Sequence, residues 1–170
     1  FQGLSHIILR DGMEASEDWM QTRTENLEPF KEMIAEMTPE RCSELTNIPI
    51  ETLEEAAHLY ASANSAMSVH GLGMTEHSHG SEGVMALASL ALLTGNVSRP
   101  GTGINPLRGQ NNVQGSCDMG ALPNVYTNYQ STEDVEQQEK VSAAWNVQVP
   151  TNPGMTYPKM LRAVDGGKVR

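Results

Sequence analysis

The stretch from residue 71 to residue 120 reads GLGMTEHSHGSEGVMALASLALLTGNVSRPGTGINPLRGQNNVQGSCDMG. It holds ten of the chain's 15 glycines and, shortly after an arginine, three amide side chains in a row, Gln110, Asn111 and Asn112. Glycine lets the backbone approach a ligand closely, and amide and guanidinium groups donate hydrogen bonds in fixed planes. This composition predicts one wall of a binding site for a large anionic cofactor.

The charge of the chain is unevenly distributed. Of the formal net charge of −10, residues 1–65 carry −9, residues 71–130 carry −1, and residues 131–170 are neutral. The glycine-rich stretch is therefore poor in carboxylates, as an anion-binding wall should be, although acidic helices that face water would also explain the acidity. The negative charge argues against nucleic acid or an anionic membrane surface as a partner.

Cysteine content and hydropathy limit the cellular context. Cys42 and Cys117 are too few for a disulfide framework or a four-thiolate metal site. No stretch resembles a signal peptide, and the longest largely apolar run, Val84–Leu93, is too short to cross a bilayer. We therefore expect a cytoplasmic location without membrane insertion. Residues 1–3 resemble the remnant of a cleaved tag, and we leave them out of the predicted fold.

Helical signals dominate the two ends of the chain. Amphipathic spacing, N-capping residues and prolines predict helices that begin near Asn26, Thr38, Pro49 and Ser131, and a last helix over Tyr157–Val164. These helices are interpreted as packing elements without chemistry of their own.

The centre of the chain has a different pattern. Ser65–Gly71 has the length of a strand and leads into a glycine turn at Gly71–Gly73, which is followed by an apolar helix over Ser81–Thr94. A strand, a glycine turn and a helix in this order are typical of a nucleotide-binding crossover. No sustained period extends from Val97 to Pro123, which predicts a long loop, and long loops in compact domains usually bind something.

Several polar residues of the central stretch have competing interpretations. His70, His77 and His79 could ligate a metal, but no carboxylate or thiolate completes the spacing, so hydrogen-bonding loop histidines are favoured. Cys117 is expected to be buried and inert, because the adjacent carboxylate would raise the pKa of its thiol. Arg108 could clamp a small carboxylate by two parallel hydrogen bonds, or pair with a structural carbonyl or with Asp118. The residue type alone leaves both options for Arg108 open.

Three segments, GLGMTEHSHGSEGV, LALLTGNVSRPGTG and GINPLRGQNNVQGSCDMGALPNVY, closely resemble the catalytic (alpha) subunits of molybdenum- or tungsten-dependent formate dehydrogenases, members of the molybdopterin oxidoreductase superfamily. The similarity is specific over Gly71–Tyr126 and looser over nearly all of the rest. It implies an internal fragment of a multi-domain α/β subunit, mostly helical with few parallel strands. Residues 1–110 would be the later part of a molybdopterin-dinucleotide-binding domain, and residues 111–170 the beginning of a second α/β domain.

The resemblance also implies a site. The family binds two molybdopterin guanine dinucleotides around one metal, and Arg108 would match the arginine that orients formate beside it. The turn Gly71–Gly73 and the following Thr75 would face one guanine dinucleotide, whereas Glu76 stands where some relatives carry glutamine. The residues that would contact pterin or phosphate groups are Gly109, Gln110, Asn111 and Asn112.

The resemblance implies a parent enzyme that oxidises formate to carbon dioxide and passes the electrons through iron–sulfur centres to electron-transfer subunits. The family's metal-ligating cysteine or selenocysteine, with its neighbouring histidine, and its four-cysteine 4Fe–4S motif do not occur in these 170 residues. We therefore predict no metal ligand here and an isolated fragment that is inactive. The alternatives are another molybdopterin oxidoreductase, for example one acting on nitrate, or a catalytically silent module that binds a cofactor or a partner subunit.

Overall fold

The computed structural model describes residues 1–169, which form ten α-helices and two parallel β-strands. The chain divides into two compact units, unit 1 from Phe1 to Leu107 and unit 2 from Arg108 onward. The prediction of a mostly helical α/β chain with few parallel strands is confirmed. The boundary predicted from the sequence lies after residue 110, and the assignment of the two parts to two α/β domains stays a prediction.

Unit 1 begins with helices whose ends follow the expected signals. Thr38 accepts a hydrogen bond from the Arg41 N–H, Pro39 occupies the first turn, and Asn47 ends the same helix in the left-handed conformation. The five helices before the first strand are α1 (Gln2–Arg10), α2 (Glu17–Arg23), α3 (Leu27–Ala35), α4 (Pro39–Thr46) and α5 (Ile50–Ser62).

The core of unit 1 is formed by apolar side chains of these helices and of the helix that follows the first strand. Its buried members are Ile7, Ile8, Met20, Cys42, Leu53, Ala57, Leu90 and Leu93. Gly3 packs on the same core, because a Cβ at this position would lie 2.8 Å from the Sγ of Cys42. Leaving residues 1–3 out of the fold was therefore wrong, since Gln2 and Gly3 form the first turn of α1.

A strand–helix–strand unit completes unit 1. It consists of β1 (Met67–His70), α6 (Leu72–Thr75), α7 (Gly80–Leu93) and β2 (Gly103–Pro106). The strands are parallel, with Met67 opposite Gly103 and His70 opposite Pro106. The predicted strand over Ser65–Gly71 and the predicted helix over Ser81–Thr94 are both confirmed with slightly shifted ends. Parallel strands require a crossover of this kind, and α7 supplies it.

Helix α7 is less completely buried than its composition suggested. Leu90 is buried, whereas Met85 is 66% exposed. The helix ends in a left-handed glycine, Gly95 at φ 64°. The N–H groups of Gly95 and Asn96 donate to the carbonyls of Leu92 and Ala91, which is the pattern of a Schellman motif.

One prediction for the central stretch was wrong. The segment Val97–Pro123 is not one long loop, because it contains β2 and the helix α8 (Val113–Asp118), both too short to produce a detectable period. The predicted Gly71–Gly73 turn is present as the start of the short helix α6. Gly71 is extended at φ −138°, and Gly73 lies inside α6.

Unit 2 contains α8, a 3₁₀ turn (Thr127–Tyr129), α9 (Val135–Trp145) and α10 (Tyr157–Asp165). Its core consists of Tyr126, Val141 and Val149, and the Tyr126 hydroxyl donates to the carbonyl of Pro150.

The start of α9 differs from the predicted one. The N-cap is Asp134, which accepts from the N–H groups of Glu136 and Gln137. Ser131 instead pairs with Val125 in an antiparallel bridge. In residues 1–169 no helix has the length and apolarity needed to cross a membrane.

Candidate functional site

The residues predicted to contact a cofactor or substrate fall in both units. Gly71, Gly73 and Thr75 belong to unit 1, and the run from Arg108 to Asn112 belongs to unit 2. Different local structures position the two sets.

In unit 1 the predicted residues follow the carboxyl end of β1. The Gly71 carbonyl accepts from the Met74 N–H at 3.1 Å and lies 3.5 Å from the Thr75 hydroxyl. A Cβ at Gly73 would meet no protein atom within 4 Å, so protein packing does not require a glycine there. In open α/β sheets ligands bind beyond the carboxyl ends of the strands, where this segment lies.

Gly80 determines how closely α6 and α7 approach each other. A Cβ at this position would lie 2.8 Å from the carbonyl carbon of Thr75 and would collide with its oxygen. Only glycine allows α7 to begin this close to α6. The contact therefore positions Thr75 relative to the packed helix α7.

Two polar atoms near the carboxyl ends of the strands are buried. Nδ1 of His70 and Nδ2 of Asn105 have no hydrogen-bond partner within residues 1–169. Asn105 is paired with Val69, one position before the pair of His70 with Pro106. A buried amide donor without a partner costs about 1–3 kcal/mol, which makes such an atom a marker for a ligand or water acceptor.

Asn105 was not among the residues predicted to form the site. The available signal was an amide within GINP, three residues before Arg108. His70 was expected to be a hydrogen-bonding loop histidine, but it lies in β1 and its Nδ1 has no partner in the described part of the chain.

The other two histidines make local contacts. His77 Nε2 donates to the Gly73 carbonyl at 2.6 Å, and His79 Nδ1 lies 3.9 Å from a carboxylate oxygen of Glu82. Across residues 1–169, no three His, Cys, Asp or Glu side chains converge in a way that could hold a metal ion. His77 thus bonds back to α6, whereas the contact of His79 lies within the first turn of α7.

In unit 2, Arg108 and the amides after it are exposed. Neither of the protein partners considered for Arg108 is used, because its guanidinium makes no hydrogen bond or ion pair with a carbonyl or with Asp118 in the described residues. An exposed guanidinium without a protein partner can bind a carboxylate or phosphate.

Asn112 has a structural role as well as a predicted one. Its backbone is left-handed, at φ 47°, and it precedes the first residue of α8. Asparagine tolerates this conformation better than most residues. The side chain folds over Gly115, where a Cβ would lie 2.6 Å from Nδ2. Gln110 and Asn111, by contrast, are exposed.

The electrostatic environment of Arg108 contains a single acidic residue of the same segment. Asp118 is the only carboxylate between residues 108 and 130. It raises the pKa of the Tyr129 hydroxyl, chiefly by hydrogen bonding, and desolvation adds to this, whereas the charge of Arg108 acts in the opposite direction. Tyr129 therefore stays a neutral phenol at pH 7. Cys117, predicted to be buried, is 8% exposed.

The match to known proteins covers nearly the whole chain. Residues 2–167 match the family described as Molybdopterin oxidoreductase. The chain belongs to the molybdopterin oxidoreductase family. This confirms the resemblance inferred from the central motifs, and family membership implies a molybdopterin cofactor.

Of three similar curated relatives, two carry formate dehydrogenase names, and the third is named as a probable oxidoreductase. The chain is 44% identical over 159 residues to F420-dependent formate dehydrogenase 2 subunit alpha of Methanococcus maripaludis, a match covering 93% of this chain and 23% of the relative. It is 38% identical over 168 residues to formate dehydrogenase H of Escherichia coli, covering 98% and 23%. It is 34% identical over 167 residues to the probable oxidoreductase YjgC of Bacillus subtilis, covering 98% and 17%. The chain thus spans less than a quarter of the length of these relatives.

Proposed function

We propose that this chain is part of the catalytic subunit of a formate dehydrogenase that oxidises formate to carbon dioxide. The proposed centre is molybdenum or tungsten held by two molybdopterin guanine dinucleotides. Because the matches cover 23% of the formate dehydrogenase relatives, other parts of the protein would supply the metal ligand, the 4Fe–4S cluster and the contacts to electron-transfer subunits. The 170 residues alone are expected to be inactive, and the protein is expected in the cytoplasm.

The residues present fit such a cofactor. Gly73 leaves open space where a Cβ would stand, and Asn105 carries a buried amide donor without a partner in residues 1–169. Polar donors in a segment of low negative charge suit the phosphates and the heteroatom edges of a pterin nucleotide. We propose that Gly71, Gly73 and Thr75 contact a guanine dinucleotide. The residues proposed to contact pterin or phosphate groups are Gly109, Gln110, Asn111 and Asn112.

The exposed guanidinium of Arg108 is the observation that supports a small carboxylate as the substrate. This guanidinium is exposed and unpaired within residues 1–169, in a segment whose one carboxylate, Asp118, interacts with Tyr129. A guanidinium binds a carboxylate through two parallel charge-assisted hydrogen bonds, which fix orientation as well as position. We propose that Arg108 orients formate by its two oxygens.

In the proposed reaction, the C–H bond of formate breaks and formate becomes carbon dioxide, releasing one proton and two electrons. When bound, the metal–pterin centre supplies the acceptor for those electrons. The contribution of this chain is to bind and orient, since Arg108 keeps its positive charge at any physiological pH and offers no base.

The test uses the full-length protein. Molybdenum, tungsten and pterin are measured per polypeptide, and turnover is assayed with formate and a dye acceptor and, in parallel, with nitrate and a dye donor. We expect metal, pterin and formate oxidation without nitrate reduction. Nitrate reduction without formate oxidation would select the other oxidoreductase. A protein free of metal and pterin would instead be the silent binding module.

A further inference from the structure

A buried amide connects the amino-terminal end of β1 to the end of α7. Asn96 is 1% exposed and follows the end of α7. Its Oδ1 accepts from the N–H of Ala66, the residue before β1, at 3.0 Å, and its Nδ2 donates to the Thr94 hydroxyl at 3.0 Å. One side chain thus connects the end of α7 to the start of β1.

Arg99 extends this connection through three of its nitrogen atoms. Nε donates to the Gly95 carbonyl at 2.9 Å, one terminal nitrogen donates to the Asn64 carbonyl at 3.0 Å, and the other to Oδ1 of Asn96 at 3.2 Å. The Arg99 N–H and carbonyl both bond the hydroxyl of Thr102, the residue before β2. The acceptors are uncharged, so the guanidinium acts through the geometry of its donors.

We call the hydrogen bonds of Asn96 and Arg99 the amino-end network. It contacts the residues immediately before both strands, Ala66 and Thr102. The strands are four residues long, about 13 Å, so few ladder bonds determine their pairing. A shift of one residue would turn every side chain of a strand to the opposite face. The position of Asn105 therefore depends on contacts outside the ladder.

We infer that the amino-end network is a positioning device for the cofactor contacts at the opposite ends of β1 and β2. By fixing where both strands start, Asn96 and Arg99 fix where Gly71 and Asn105 present their polar groups. The inference rests on the proposed function in that the ligand is the pterin nucleotide. Asn96 and Arg99 are positioning residues and do not touch the ligand themselves.

The test compares Arg99→Lys with Trp19→Phe in the full-length protein. Lysine keeps the charge but cannot reproduce three bonds in a fixed plane. Trp19 is the matched control, because its Nε1 donates to the Leu92 carbonyl at 3.1 Å near the same end of α7 but connects it to α2. Hydrogen–deuterium exchange of the peptide covering residues 65–75 should accelerate by about tenfold in Arg99→Lys, as expected for a lost hydrogen bond. The peptide covering residues 103–107 should change less, because the Arg99 backbone keeps its bonds to the Thr102 hydroxyl. In Trp19→Phe these peptides should exchange as in the wild type.

Cofactor retention supplies a second readout. Arg99→Lys should lower bound pterin per polypeptide severalfold with turnover per bound metal unchanged, and Trp19→Phe should lower neither. Asn96→Asp keeps the acceptor for Ala66 and Arg99, so β1 should exchange as in the wild type. Asn96→Leu removes this acceptor, so β1 should exchange faster.

Wild-type exchange and wild-type pterin content in Arg99→Lys would overturn the inference. Equal loss in Arg99→Lys and Trp19→Phe would also overturn it, since the network would then contribute only general stability. If the wild-type protein holds no pterin and does not oxidise formate, the proposed function fails. The exchange comparison still decides whether the network sets the positions of the strands.

Discussion

The two units differ in how much apolar surface fixes their candidate residues. Unit 1 buries a core drawn from several helices. Its predicted site residues lie directly after β1, and α7, which connects β1 to β2, packs in that core. Unit 2 buries Tyr126, Val141 and Val149, and it leaves one face of α10 exposed. The exposed apolar residues of that face, spaced as on one side of a helix, are Tyr157, Met160, Leu161 and Val164.

This difference separates stability from function. Burial of apolar surface is the dominant favourable term in folding, so unit 1 should contribute most of the free energy of unfolding. Arg108 and the amides of unit 2 are exposed and should contribute little to it. Substitutions in the core of unit 1 should therefore lower the free energy of unfolding. Substitutions of the exposed polar residues of unit 2 should lower activity and leave the free energy of unfolding nearly unchanged.

The largest effect on stability is expected at Leu90 in unit 1. Its side chain is 2% exposed in the core, so Leu90→Ala should lower the free energy of unfolding by about 2–5 kcal/mol through lost burial and the remaining cavity. Met85→Ala on the same helix is the control and should change it by about 0.5 kcal/mol or less, because Met85 is largely exposed. Urea unfolding measures both. Equal losses would contradict the assignment of the buried face of α7.

The opposite signature is expected at Arg108 in unit 2. In the full-length enzyme, Arg108→Ala should lower formate turnover by about 10²-fold or more, which is the effect of losing one preorganised donor. Arg108→Lys keeps the charge without the paired donors and should fall between the wild type and the alanine variant. Unfolding midpoints should not change. Near-normal turnover of Arg108→Ala would contradict the proposed role.

A smaller effect is expected inside unit 2 itself. The Tyr126 hydroxyl bonds the Pro150 carbonyl, so Tyr126→Phe should destabilise unit 2 by about 0.5–1.5 kcal/mol. Hydrogen exchange should accelerate in α9 and around Val149, with the peptides of unit 1 unchanged. Tyr157→Phe is the matched control, because Tyr157 is 72% exposed. Acceleration in both units would show that they unfold together and would weaken the contrast.

The sequence predicted the parts of the fold that depend on local signals. Thr38 and Pro39 mark a helix start, and Gly95 marks a helix end, through bonds within a few residues. Motif resemblance identified the family, and it named Arg108, whose role stays a prediction. Local patterns could not reveal β2 or α8, because four and six residues carry too little period.

The missed features depend on contacts distant in sequence. The position of Asn105 depends on the pairing of β2 with β1, where it lies opposite Val69, and the role of Asn96 follows from a bond to Ala66 thirty residues earlier. Gly3 was interpreted as part of a tag, because the local sequence does not show that it packs against Cys42 of another helix. Ser131 was predicted to start the last long helix, and only the observed bonds from the N–H groups of Glu136 and Gln137 to the Asp134 side chain identify Asp134 as the N-cap.

The contrast between the units also predicts a small pH effect confined to unit 1. Asp11 accepts from Nε and a terminal nitrogen of Arg10 at 2.7 and 2.9 Å, and His58 Nε2 lies 2.7 Å from the same carboxylate. Arg10 also bonds Glu54 of α5 at 3.0 Å. Arg10 first, and His58 second, hold the pKa of Asp11 well below its ordinary value of 3.8. These bonds connect the end of α1 to α5 on the surface.

A carboxylate with a depressed pKa stabilises the folded state above its unfolded pKa, and this contribution is lost as the pH falls through the folded pKa. The difference in unfolding midpoint between the wild type and Asp11→Asn should therefore be full above about pH 5 and shrink below about pH 4. The effect should be small and should decrease with salt, because these side chains are exposed to solvent. Glu55→Gln on α5, which removes a carboxylate without an ion pair in residues 1–169, is the control and should show no such pH dependence. A difference that grows toward low pH would contradict the stabilising role of Asp11.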